Sequence, residues 1–397
     1  MLIEKLKIRS FKSIVDLDIS LGNVNVFIGA NGSGKSNILE ALGVLSAAAY
    51  GRVDDESLLR RGVRPGVPRL YKSAFPTIRI PPHIYFAAEA ENASYAVSLL
   101  NSLDKPRPAW QFKTEELIGD SITLVSRGVR GKTDTARNKE QGLAALKVVE
   151  LDPKSPAAEL MQTLQDYAIY TPNTPTLRGM ISDQQSRDPV GLSGGRLAEA
   201  VRDLKSWRAA KVDFIDDALD EMTGLIDWMS DFDTSTSAEP LLSSSIARGK
   251  LIIRFKDRYM REGRNTLTPY DASEGVLYIL FSAVLAIYPF APQCLAIDNL
   301  DQSLNPRLSQ KLVKALCKWV IDNPYPRQFL FTAHNPALLD GLPLNDDRIR
   351  LFAVDRNDAG HTEVRRIEIT DELKKLNEKW PLSRLWVMGH LGGVPNV

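Results

Sequence analysis

An α/β fold carrying an antiparallel β insertion and a helical lobe is the class the sequence predicts, on three observations. Val24 to Ile28 is a short apolar, β-branched run. It leads into Gly29-Ala30-Asn31-Gly32-Ser33-Gly34-Lys35-Ser36, and Ile38, Leu39 and Leu42 then recur at helical spacing, giving the order strand, glycine loop, helix. Two further apolar runs, residues 293–298 and 330–334, end in Asp298 and His334, as parallel strands do when their carboxyl ends line one site. Between these ends, residues 78–127 hold several strand-like runs with no helical period, and helical periodicity follows them,.

Length and composition are consistent with this class. A chain of 397 residues holds one large α/β domain with an insertion, or two to three smaller units,. Apolar content of 44 % and charged content of 25 % describe an ordinary globular chain, and a net charge of +1 gives no bulk polyanion affinity,. Cys294 and Cys317 are the only cysteines, which suits a reducing cytosol rather than a disulfide scaffold. The opening MLIEKLKIRSF lacks a signal-peptide core,. The longest apolar run, residues 275–291, contains Ser282 and Pro289; it is short for a membrane span and reads as a buried helix ending at the proline. The expected location is cytoplasmic, with no membrane contact.

In chain order, residues 2–8 alternate apolar and polar as an edge strand does, and residues 14–19 form a second strand,. Residues 54–72 are polar and carry Arg60, Arg61, Arg64, Arg69 and Lys72, a solvated loop in preference to a phosphodiester track. The runs 84–90, 95–100, 110–112 and 122–125 predict an antiparallel meander inserted into the core, and residues 127–141 a basic loop. Residues 157–170, 197–207 and 214–229 predict helices forming a lobe of their own, and the core resumes near residue 251. The domain division is thus 1–75, 76–250 and 251–397. No internal repeat or sustained heptad is present,.

The chemistry gathers at three strand ends. The glycines let backbone N–H groups converge on a phosphate, and the helix N-terminus adds partial positive charge. Gly29, Asn31, Gly32, Ser33, Gly34, Lys35, Ser36 and Asn37 are the phosphate-binding candidates. Lys35 reaches β- and γ-phosphates, and Ser36 and Asp298 are the candidate Mg²⁺ residues. His334 is placed to hydrogen-bond a γ-phosphate. Two serine-glycine stretches compete as a further segment that binds a γ-phosphate. Leu192-Ser193-Gly194-Gly195-Arg196 lies far upstream of Asp298 with a helical lobe between. Asp271-Ala272-Ser273-Glu274-Gly275 precedes one apolar helix and then the Asp298 strand. The spacing favours Ser273 and Gly275, and makes Ser193 part of a loop that caps the helix from Leu197.

FIGANGSGKSNILEAL, the degenerate ASEG, LAIDNLDQSLNP and FTAHNPALLD, together with the opening IRSFKSI, resemble the ABC-type AAA ATPases related to RecF, the SMC proteins and the OLD (overcoming lysogenization defect) proteins. The motifs cover both ends, roughly half of the chain; the middle third matches loosely. The resemblance implies a P-loop NTPase of ABC/SMC type using ATP and Mg²⁺, with two protomers sandwiching two ATP molecules. Ser273 and Gly275 then act on the partner's nucleotide, and Lys12 lies where the family often contacts nucleotide. The resemblance also implies a separately encoded effector, commonly a Toprim-like nuclease, in anti-phage defence. The alternative it implies is a RecF-like ATPase that binds DNA in repair or recombination.

One position departs from the pattern. The family usually follows the metal-associated Asp with a Glu that polarises water; here Asn299 follows Asp298. An amide orients a water but does not accept its proton. The expectation is slow hydrolysis, unless Asp301 or His334 does part of the work. The acids between Asp213 and Glu221 read as one face of a solvated helix rather than a metal cluster.

Overall fold

A computed structural model describes residues 1–76, 78–79, 81–128, 138–183, 185–209, 213–236 and 251–391. Most of the expected basic loop and the end of the C-terminal tail, residues 129–137 and 392–397, lie outside the described residues.

A mixed six-stranded sheet positions the site. Its order is β15 (Thr362–Ile367), β14 (Ile349–Arg356), β3 (Val24–Ile28), β13 (Gln328–Ala333), β12 (Cys294–Ile297), β8 (Ile169–Tyr170). All neighbours are parallel except the β14–β15 hairpin. Alternate residues of each strand feed opposite cores, as the pleat requires. Phe329, Phe331 and Ala333 face a core built with the helices Glu274–Ile287 and Pro306–Asp322. Leu330 faces a second core built around the helix Lys35–Ala49. The central strands β3, β13 and β12 are largely apolar because both faces are covered.

The second core is closed by an antiparallel sheet of order β2 (Ile14–Ser20), β1 (Lys5–Phe11), β4 (Ile84–Ala90), β5 (Ala93–Leu100), β6 (Gln111–Gly119), β7 (Ile122–Arg127). The helix Lys35–Ala49 is therefore sandwiched between two sheets, and thirteen of its residues are buried. The meander exists as expected, but β4 pairs with β1 at Ile8↔Phe86. The N-terminal strand is thus interior, and β2 is the edge. The alternation of residues 2–8 reports one buried face; it does not distinguish an edge from an interior position. The expected division after residue 75 runs through this sheet.

The middle of the chain also differs from the sequence expectation. The helix Pro156–Gln165 ends early, and Ile169–Tyr170 joins the main sheet as β8 beside β12. The helix Asp213–Gly224 stops short of β9 (Met229–Ser235), which pairs with β10 (Ile252–Asp257) and, through it, β11 (Thr266–Leu267). Residues 251–255 therefore build a small separate sheet rather than resuming the main one, and the division at 250/251 separates paired strands. The apolar helix ends at Ile287, two residues before Pro289, as the restriction on residues preceding proline dictates,. At the C-terminal side, Leu382, Leu385 and Trp386 are buried, so the short helix Leu382–Val387 packs on the body. Among the described residues no helix is long and apolar enough to cross a membrane.

Candidate functional site

The loop between β3 and its helix is shaped by contacts from distant elements. Gly34 has φ +112°, and a Cβ there would lie 2.1 Å from Thr362 Oγ1, so only glycine fits. That hydroxyl lies 2.7 Å from the Ser33 carbonyl and 2.7 Å from Ser13 Oγ. Asn37 Nδ2 donates to Ser13 Oγ at 2.7 Å. Arg356 Nε donates to the Gly32 carbonyl at 3.0 Å, while Asn31 and Gly32 themselves are exposed. The β1–β2 turn and β15 thereby brace one wall of the loop.

Lys35 is buried, and its Nζ donates to the carbonyls of Gly29 and Ala30 at 2.8 and 2.9 Å. Burial lowers its pKa to about 8, against the pull of Asp298 and Asp301,. An ammonium satisfied only by neutral carbonyls is ready to exchange them for phosphate oxygens.

Asp298, at the end of β12, meets Ser36 and β13. Ser36 Oγ donates to Asp298 Oδ1 at 3.1 Å, and Thr332 Oγ1 donates to the same oxygen at 2.6 Å. A hydroxyl beside a carboxylate is the hard-oxygen donor set that Mg²⁺ takes, so Ser36 and Asp298 fit that ion. Asn299 adopts φ +58°, a left-handed conformation that Asn tolerates better than most side chains,. Its N–H donates to Thr332 Oγ1 at 2.8 Å, and its Oδ1 lies 3.0 Å from His334 Nε2. Burial, with help from Lys35, lowers the His334 pKa, which favours the neutral ring,.

Asp301 is engaged elsewhere. Its Oδ2 accepts the backbone N–H of His334 at 2.8 Å and also that of Asn335. The carboxylate fixes the main chain behind the histidine. Lys12 likewise is held by Glu40, whose buried carboxylate also accepts from Arg64 Nε at 2.5 Å. Burial opposes ionisation of Glu40, but Arg64 and Lys12 together keep it below the usual carboxylate range. The Lys12 ammonium lies 5.2 Å from the Tyr71 ring centroid, and burial lowers its pKa.

Ser273 and Gly275 stand apart from this cluster. Ser273 occupies the N-cap of the helix Glu274–Ile287, is exposed, and makes no side-chain cap bond. Gly275 is buried under Leu304 and Leu308. Glu274 accepts from Ser303 Oγ at 3.0 Å, which ties this helix start to the segment that follows Asp298. The competing Ser193 sits in a turn organised by Asp183, which accepts from Ser193 N at 3.1 Å and Gly195 N at 3.0 Å. Among the described residues, no group of three or more His, Cys, Asp or Glu is placed to hold a metal ion, so the acids from Asp213 to Glu221 form no such cluster.

Sequence reasoning missed Thr332, Thr362, Glu40 and β8. Thr332 had a local signal, since it is the single polar residue in the apolar run before His334. Thr362 is defined by partners more than three hundred residues away, Glu40 by partners 28 and 24 residues away, and β8 by pairing in the sheet.

Comparison with known proteins agrees with this geometry. Residues 1–88 match the model of the family described as AAA ATPase domain. Residues 182–340 match one described as an AAA domain. A "DNA replication and repair protein RecF" from Renibacterium salmoninarum is 42 % identical over 71 residues, which are 17 % of this chain and 18 % of that protein. The chain thus matches this relative over less than a fifth of the relative's length. Among solved structures, an Smc head bound to the C-winged helix domain of ScpA is similar with TM-score 0.54 at 14 % identity, covering 93 % of this chain and 99 % of that one. An Smc head with an extended coiled coil, bound to the C-terminal domain of ScpA derived from Pyrococcus furiosus, gives TM-score 0.53 at 12 % identity over 95 % of this chain and 99 % of that one. The chain has the fold and motifs of an ABC-type ATPase of the RecF and SMC kind.

Proposed function

We propose that this protein binds Mg-ATP, dimerises around two ATP molecules, hydrolyses them slowly and thereby gates a separately encoded effector in anti-phage defence. Lys35 exchanges the Gly29 and Ala30 carbonyls for β- and γ-phosphate oxygens. Gly29 to Asn37 supply backbone N–H groups, and Ser36 and Asp298 hold the metal, which neutralises phosphate charge when bound. Lys12 contacts the nucleotide of its own subunit. Ser273 and Gly275 face the γ-phosphate of the partner's nucleotide. Asn299 orients the attacking water without accepting its proton, and His334 hydrogen-bonds the γ-phosphate. The effector reading, with a Toprim-like nuclease as its leading form, rests on the resemblance together with the lack of any nuclease constellation in the sequence.

The observation that carries slow turnover is Asn299 beside Asp298 while Asp301 is bound by two backbone N–H groups. Steady-state phosphate release tests it. We expect tight Mg-ATP binding and a long-lived ATP dimer; brisk turnover that falls in Asn299→Glu would overturn the reading. A second reading, an ATPase acting on DNA in repair or recombination in the cytoplasm, draws support from the RecF match.

A further inference from the structure

The β10–β11 hairpin ends in a tip that the nucleotide reading does not use. Along β9 and β10 charges are matched across the strands. Arg254 faces Asp233 and Lys256 faces Asp231, and Asp231 also binds Lys205 at 3.0 Å. Beyond β10 the matching stops. Residues 258–265 read RYMREGRN, three arginines against one glutamate.

The tip is built rather than loose. Asp257 N donates to the Asn265 carbonyl at 2.8 Å and closes the hairpin. The Asp257 carboxylate accepts from Tyr259 N at 2.7 Å and Met260 N at 3.2 Å, so it serves the turn and not the arginines. Arg258 is anchored, with Nη2 donating to the Met229 carbonyl at 2.6 Å. Arg261 and Arg264 form no side-chain hydrogen bond or ion pair among the described residues. Between them and the anchor stands Tyr259, 77 % exposed, with Met260 at 45 %.

We propose that this tip is a binding arm for single-stranded nucleic acid. Arg261 and Arg264 neutralise backbone phosphates, and the exposed Tyr259 ring stacks on an unpaired base. A duplex hides its base faces, so the ring selects a single strand; DNA and RNA strands share the chemistry. The arm is also stiffly joined to the candidate ATP-sandwich surface. β11 leads into Thr268, whose N–H and hydroxyl donate to Asp271 at 3.0 and 2.7 Å, and Ser273 follows two residues later.

This inference rests on the second reading above, contact with nucleic acid, and needs nothing of the ATP-dependent dimer. The test is fluorescence anisotropy on the full chain without nucleotide, using labelled oligothymidylate and oligouridylate of about 20 nucleotides and a duplex of equal length. Wild type is expected to bind both single strands more tightly than the duplex. Tyr259→Ala is expected to weaken single-strand binding by about 5- to 100-fold while Tyr259→Phe retains it. Arg261→Glu with Arg264→Glu is expected to flatten the slope of log affinity against log salt by about 1.4. Unchanged melting temperatures in these surface variants would exclude a folding defect. No binding by wild type at low salt, a preference for duplex, or a Tyr259→Ala variant as tight as wild type would each overturn the arm. Lys35→Ala separates the two readings: it is expected to lose ATP and keep the oligonucleotide. Loss of both in a folded Lys35→Ala variant would show that strand binding belongs to the nucleotide site and would overturn the arm.

Discussion

Under the proposed function the loop from Gly29 to Ser36 and the helix start at Ser273 both meet a phosphate, yet one is braced within its own chain and the other is not. Around the loop, Thr362, Ser13 and Asn37 form one hydrogen-bonded group against the Ser33 carbonyl, and Ser36, Asp298 and Thr332 form a second. At Ser273 the side chain is exposed and makes no cap bond. If the proposed function holds, the difference teaches that preorganisation is concentrated on the half-site of the loop, while the half-site at Ser273 is completed by association. Five substitutions and a pH profile test that contrast.

The largest effect is expected at Asn299. Supplying a water-polarising carboxylate by Asn299→Glu should raise steady-state phosphate release by about 10²- to 10⁴-fold. Glu is less suited than Asn to the left-handed backbone at this position, at a cost of about 1 kcal/mol, so thermal stability should fall slightly while turnover rises.

Lys35→Ala comes next. It removes two charge-assisted contacts, and ATP affinity measured by calorimetry should fall about 100-fold or more. An unchanged affinity in the folded variant would dismiss the loop as the phosphate site.

Ser273→Arg probes the unbraced half. ATP binding should persist while the ATP-dependent dimer, followed by light scattering, weakens by at least about tenfold. Ser193→Arg should leave the dimer intact, since Asp183 organises that turn through backbone N–H groups rather than the serine side chain. A reversed pair of results would exchange the roles of the two stretches.

The pH dependence has a definite sign. Lys35 titrates at about 8 in the free protein, and phosphate prefers the ammonium. ATP affinity should therefore hold steady below pH 8 and fall above it by up to about tenfold per unit, with proton uptake on binding near pH 8 to 9 visible by calorimetry in two buffers. For the protein without ATP the sign is opposite. A depressed lysine pKa penalises folding fully below about 8, and that penalty is relieved as pH rises from about 8 toward the ordinary 10.5,.

The smallest effect is expected at Asp301. An amide oxygen still accepts the His334 and Asn335 N–H groups, so Asp301→Asn should change turnover by less than about threefold. Abolished turnover would make Asp301 the general base.

Residues whose chemistry depends on neighbours in sequence were legible before the structure. The Gly29–Ser36 loop, Asp298 and His334 each end an apolar run, and the helix after Ser273 is marked by its length of apolar sequence, interrupted at Ser282 alone. What could not be read depends on pairing at a distance. Residues 2–8 alternate in the same way whether or not β4 arrives beside them. Ile169 and Tyr170 are too few to declare themselves a strand and gain that state only from β12. Thr362 gives no hint of Ser33 and Ser13, because a hydroxyl that braces a loop some 330 residues away looks like any other surface threonine. Position Asn299 was legible as a departure, but its left-handed backbone was not.

The strand that launches the loop has a long wait during synthesis. Val24 is hydrogen-bonded into a sheet whose flanking residues there are Phe329 and Ile349. A ribosome that has made the first 300 residues has therefore made a β3 whose only polar residue is Asn25, with neither neighbour in existence. Non-local pairing of this kind slows folding and leaves sticky intermediates. The β1–β7 sheet and the helix Lys35–Ala49, complete by residue 127, are the one large unit able to shelter it in the meantime. The emerging chain would then depend on this early layer, or on a chaperone, until the last third of the message is read.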